Sequence, residues 1–180
     1  MSSLVALSVS IGVLGGIATA LFLQPASPLL IWAAFLGWAC YFHAGGNDAA
    51  LKNTIVCNTF GSFCAWAAAL IILSVPLAAS LTLPVWAGIV VGLTVMAMCL
   101  AAQIPALSAI PASVYGYAAT FAYLLQTQGA LTIENLTSVG RGNAFLLVVV
   151  SMALGAAFGM VSGKVGAALT AKAPAVPARV

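Results

Sequence analysis

An all-α integral membrane protein is what this sequence predicts, and three observations carry the prediction. Only 4% of the 180 residues are charged, where a soluble domain has roughly a quarter. The mean hydropathy is +1.20 and 64% of residues are hydrophobic, so the excess apolar surface must face lipid rather than water. The apolar residues also run in unbroken stretches instead of alternating. A chain in lipid must satisfy its own backbone, which leaves helices or closed barrels, and strands of a barrel would alternate.

Six apolar runs are expected to span: Leu4–Leu23, Leu29–Gly46, Thr54–Ala79, Pro84–Ala102, Ile110–Leu125 and Ala144–Ser162. Crossing about 30 Å of hydrocarbon takes about 20 helical residues; the second and fifth runs are short for this. The first run lacks a basic leader and is longer than a typical signal-peptide core, so it reads as a retained span. Breakers separate the runs: Gln24–Pro28, Gly45–Asp48, Ser80–Pro84, Gln103–Pro105 and the polar stretch Gln126–Asn143. Only the last is long enough to carry structure of its own. Residues 1–163 are expected to form one transmembrane domain, and 164–180, ending in Ala173-Pro174-Ala175-Val176-Pro177, a disordered cytoplasmic tail.

Orientation follows from the cations. Six spans put both termini on one side, which collects Lys52, Lys164, Lys172 and Arg179 and leaves Arg141 opposite. Cytoplasmic segments are enriched in Lys and Arg, so both termini are expected in the cytoplasm.

The chain also matches itself. An offset of 79 lays Ile11–His43 on Val90–Ala122 without a gap, with nine identities in 33 pairs, among them Gln24/Gln103, Gly37/Gly116 and Phe42/Phe121. Matches among Leu and Ala come easily in such a composition; the Gln pair, with prolines after each member, does not. A unit of three spans, duplicated, forces the second copy upside down. An inverted 3+3 architecture with halves of about 4–79 and 84–162 is therefore expected, with a functional path at the interface of the halves.

Few residues could carry chemistry. With one histidine and two acids the chain offers no catalytic constellation, so neither an enzyme nor a cofactor is expected. The scattered basic residues make no nucleic-acid face. Cys40, Cys57, Cys64 and Cys99 lie in apolar runs, where thiols pack as small hydrophobes, and they lack zinc-site spacing. Gln24 and Gln103 are uncharged amides at helix breaks that could coordinate a small polar solute, or else ordinary loop residues at the membrane surface. Tyr41, Tyr117 and Thr120 are placed on the same path by their hydroxyls, although tyrosines also anchor helix ends. His43, Asn47 and Asp48 close the second run; the ionisable pair could relay protons, or could simply cap the helix end. Glycines four apart (Gly12/Gly16, Gly88/Gly92, Gly155/Gly159/Gly163) suit close helix contact, within a protomer or in a homo-oligomer.

The segment Phe35-Leu36-Gly37-Trp38-Ala39-Cys40-Tyr41-Phe42-His43-Ala44-Gly45-Gly46, with Ile110-Pro111-Ala112-Ser113-Val114-Tyr115-Gly116 leading to Phe121, resembles the bacterial inner-membrane family called domain of unknown function 1097. The resemblance covers roughly residues 5–163. It implies a small multi-span protein of the bacterial inner membrane and no particular substrate. The expected function, from the lack of anything catalytic and the scarcity of charge, is a channel or facilitative carrier for a small neutral or monoanionic solute of the urea, formate, acetate or nitrite class. A structural or accessory membrane subunit and a proton-coupled secondary transporter are the alternatives.

Overall fold

The computed structural model describes residues 1–170. Its regular elements are all helical: α1 Ser3–Phe22, α2 Ile31–His43, α3 Asp48–Ser74, α4 Ala78–Leu81, α5 Leu83–Leu100, α6 Ile110–Gln126, α7 Ile133–Thr137 and α8 Ala144–Leu169. Short 3₁₀ turns at Ala101–Gln103 and Pro105–Leu107 join α5 to α6.

Four segments are long and apolar enough to cross a membrane, namely α1, α3, α8 and Leu83–Gln103. The second and fifth runs form shorter helices than the others, 13 residues in α2 and 17 in α6. At 1.5 Å per residue these are about 20 and 26 Å long, less than the hydrocarbon thickness. The lost length lies in chain ahead of each helix that is extended or tightly turned. Side chains of the neighbouring core helices satisfy part of this backbone. Here the Leu30 N–H donates to Ser151 Oγ at 2.9 Å, and the Ala106 carbonyl accepts from Cys57 Sγ at 3.6 Å.

Helix ends are set by capping. Asn47 Oδ1 accepts from the Ala50 N–H at 2.8 Å and starts α3 at Asp48, earlier than the apolar run at Thr54. Asn143 does the same for α8 through the Leu146 N–H. The other end of α8 reaches Leu169, so Lys164–Leu169 is helix rather than tail, and 171–180 lie outside the described residues. Packing explains the extension: Gly166 faces Leu7 of α1 and Gly163 faces Phe42, and Lys164 Nζ lies 3.8 Å from Asp48 Oδ1. Between α2 and α3 the chain turns through Gly45 and Gly46, both at positive φ (112° and 65°), a region glycine enters without steric cost.

Two helix pairs make the core. α2 packs along α8 and α6 along α3, while α1 leans on α8 and α5 on α3 at the periphery. The two core pairs approach in the same way. A Cβ on Gly37 would overlap the Met152 carbonyl, and one on Gly155 the Ala34 carbonyl; likewise Gly116 meets the Asn58 carbonyl and Gly61 the Ser113 carbonyl. Only glycine lets backbones come this close, the small-residue packing that replaces the hydrophobic effect between helices in lipid. The hydrogen bonds advance together along both helices, from Leu30–Ser151 to Trp38–Ser162 in one pair and from Cys57–Ala106 to Ser62–Gly116 in the other, so each pair runs in the same direction. The outer helices α1 and α5 expose Leu4, Val9, Val13, Leu21, Leu83, Ile89, Leu93 and Leu100, as a lipid-facing surface requires.

Candidate functional site: a polar crossing between α3 and α6

The residues singled out from sequence are not gathered in one place. Gln24 is exposed and its Nε2 donates to Ala20 O at 2.8 Å, closing its own helix. It lies at the end of the bundle where Pro28 and Leu29 meet Val139–Arg141. Gln103 is also exposed, in the connection whose Ala106 and Ala109 lie against Cys57 and the His43 end of α2. The two amides thus sit at opposite ends. Asn47 serves as the α3 cap, and Asp48 is exposed beside Lys164. Tyr41 is buried, with its Oη donating to Gly46 O at 2.7 Å, and stabilises the α2–α3 turn. Tyr117 Oη shares a hydrogen bond of 2.9 Å with Thr94 of α5, and Thr120 Oγ1 donates to Gly116 O at 3.0 Å.

A more concentrated polar feature runs down α3. Thr54, Asn58 and Ser62 recur every four residues and so share one helix face. They are 0%, 2% and 0% exposed, and across from them on α6 stand Ser113 and Thr120, equally buried. Next in the same register is Trp66, whose Nε1 donates to the Leu136 carbonyl of α7 at 2.8 Å. From Thr54 to Trp66 the face covers about 18 Å at 1.5 Å per residue.

Polar side chains between helices in lipid commonly act as glue by hydrogen bonding across the interface. Three here do not. Thr54 Oγ1, Asn58 Nδ2 and Ser113 Oγ are buried with no hydrogen-bond partner, each leaving a desolvation cost of about 1–3 kcal/mol unanswered. Native structures keep few such groups, and those they keep call for a reason.

At one end of this face lies a pocket of about 160 Å³, lined by Cys40, His43, Ala44, Ala109, Pro111, Ala112 and Tyr115. His43 Nδ1 is 3.2 Å from Tyr115 Oη at its rim. The walls are mostly carbon, and the polar face lies behind Cys40, whose thiol donates to Asn58 Oδ1 at 3.7 Å. Cys40, Cys57 and Ala112 pack as one cluster between the pocket and that face.

The α2–α8 crossing differs in composition. Where α3 has Thr54, Asn58 and Ser62, the corresponding positions of α8 relative to the glycine contact are Val148, Met152 and Ala156. Opposite them α2 offers Ala34 in place of Ser113. Its polar atoms are partnered: Ser151 Oγ accepts from Leu30, Ser162 Oγ accepts from Trp38 Nε1 and donates to Gly159 O, and Ser10 Oγ donates to Ser162 O. Among the described residues no three of His, Cys, Asp and Glu group closely enough to hold a metal ion.

These features define a small helical membrane protein with one helix crossing whose buried polar atoms are partnered and one that buries polar atoms without partners. The chain belongs to the family described as "Protein of unknown function (DUF1097)", whose family model matches residues 8–167. No curated protein and no solved structure matches it.

Proposed function

We propose that the chain spans the bacterial inner membrane six times as an inverted 3+3 duplication and passes a small neutral or monoanionic solute along the α3–α6 crossing. The observation that carries this reading is the set of three buried, unpartnered polar groups, Thr54 Oγ1, Asn58 Nδ2 and Ser113 Oγ. Asn58 lies well inside the longest helix, and a passing solute would supply the hydrogen bonds that all three lack.

The duplication is supported by the packing. Gly37 and Ala34 on α2 correspond to Gly116 and Ser113 on α6 at the offset of 79 seen in the sequence. Their partners on α8, Gly155 and Met152, each stand 94 residues after Gly61 and Asn58 on α3. The residues that satisfy irregular backbone ahead of the short helices, Cys57 and Ser151, obey the same offset of 94. In inverted repeats the solute path lies between the halves near mid-membrane, and a path past Asn58, on α3 against Gly116 of α6, would run between the two halves. On this reading the end bearing Ser3, Lys52 and Lys164 faces the cytoplasm, and Arg141 faces outward. A methyl group added at Gly12, Gly16, Gly88 or Gly92 would have no neighbour within 4 Å, which leaves α1 and α5 free to join protomers of a homo-oligomer. No catalytic step is part of the proposal.

The test is flux in proteoliposomes. Purified protein should accelerate equilibration of at least one solute among urea, formate, acetate and nitrite over protein-free vesicles. Folded, monodisperse protein that accelerates none of them defeats the proposal and favours an accessory subunit.

A further inference from the structure

Granting the pathway along α3–α6, on which this step rests, we infer that its solute is a small neutral amide rather than a monoanion. The hydrogen-bonding capacity left open at the crossing is of two kinds, and an amide carries the complement of both.

Asn58 Oδ1 already accepts from the Cys40 thiol at 3.7 Å, whereas both N–H donors at Nδ2 are unpartnered. These call for an acceptor oxygen. One turn toward the α7 end, Ser62 Oγ and Thr120 Oγ1 both direct their hydrogens to the Gly116 carbonyl, at 3.1 and 3.0 Å. Their lone pairs are therefore what they can offer, and lone pairs call for an N–H. Thr54 and Ser113, free in both senses, can serve either group. A carbonyl oxygen with an adjacent NH₂ answers the whole set; a carboxylate or nitrite answers only the donors and turns its charge toward the remaining lone pairs.

Charge points the same way. The charged side chains among the described residues, Asp48, Lys52, Glu134, Arg141 and Lys164, are all exposed and none stands in the crossing. A buried anion without a counter-ion is far costlier than a buried amide whose hydrogen bonds are replaced. The approach is also suited to a solute with little charge, since the pocket before Cys40 is walled by Ala44, Ala109, Pro111, Ala112 and the Tyr115 ring.

The deciding experiment is a four-solute comparison in proteoliposomes at neutral pH, with urea and acetamide against formate and acetate, each referenced to protein-free vesicles. Wild-type protein should speed urea and acetamide and leave both anions at the protein-free rate. Asn58→Asp, which exchanges the two donors for a negative charge, should lower amide flux about tenfold or more. Ser113→Ala, a smaller change that leaves the glycine contact intact, should lower it by a lesser factor with no gain in anion flux. Passage of formate or acetate in preference to the amides overturns the inference and leaves the pathway standing. Unchanged amide flux in both variants overturns the inference as well, because the solute would then bypass these donors. If none of the four solutes passes, the inference falls, and if nitrite does not pass either, the pathway itself falls with it.

Discussion

The Cys40 thiol donates to Asn58 Oδ1 across 3.7 Å, while the other end of the same amide, Nδ2, is buried without a partner. A pocket-lining residue is thereby linked to the most polar point of the α3–α6 crossing. On the proposed path a solute moving from the pocket inward would displace that thiol. Cys40→Ala should therefore raise flux, and modification of Cys40 by a small thiol reagent should abolish it. Flux assayed before and after reagent, with Cys40→Ala as the insensitive control, checks both.

The unpartnered groups set function against stability. Thr54→Val keeps the shape and removes a buried hydroxyl that bonds nothing, so the fold should be unchanged or more stable by up to about 1 kcal/mol. Solute flux should fall in the same variant. Thermal unfolding in detergent, followed alongside proteoliposome flux, reads the two effects; a clear loss of stability would show that Thr54 has a structural partner after all.

Close backbone contact predicts which glycines tolerate a methyl group. Gly61→Ala and Gly116→Ala drive a Cβ into backbone carbonyls and should cost about 1–3 kcal/mol or more. Gly12→Ala and Gly88→Ala open onto free space and should stay within about 0.5 kcal/mol of wild type as monomers. Size-exclusion profiles and unfolding midpoints distinguish the pairs, and a change in oligomer size for the second pair would reveal a protomer contact.

Gln24 and Gln103 should not matter for flux. They are exposed at opposite ends of the bundle, and Gln24 is used by its own helix through Ala20. Gln24→Ala and Gln103→Ala should each transport at the wild-type rate. A loss in either would return the path to the helix breaks.

Much of the architecture is legible in the chain because lipid demands continuous apolar runs, and each of the six runs overlaps one of the helices α1, α2, α3, α5, α6 and α8. The ends are less so. Asn47 caps α3 ahead of its apolar stretch, and Leu29 and Leu30 are apolar yet sit in extended chain secured by Ser151. Periodicity cannot register either fact. The offset of 79 between α2 and α6 shows in the sequence, whereas the offset of 94 between α3 and α8 is hidden, because Ala50/Ala144, Val56/Val150 and Gly61/Gly155 are the only identities along those helices. The shift between the two offsets reflects the connection carrying α7, longer than the turn through Gly45 and Gly46.

The polar crossing escapes a reading of the sequence for a related reason. Helix breaks favour Gln24 and Gln103, where polar residues are conspicuous but solvent-exposed. Thr54, Asn58 and Ser62 are embedded in an apolar run, and their spacing of four is the signal that they share a face. Burial distinguishes the two sets, and only the tertiary packing supplies it.

The central claim, that the solute follows α3–α6 and not α2–α8, is tested most directly by a matched pair at equivalent positions. Asn58→Leu and Met152→Leu place the same side chain at the two crossings, and flux is measured at equal amounts of folded protein in vesicles. Flux is predicted to be lost in Asn58→Leu and retained in Met152→Leu; flux that survives Asn58→Leu, or that is lost equally in both, contradicts the account.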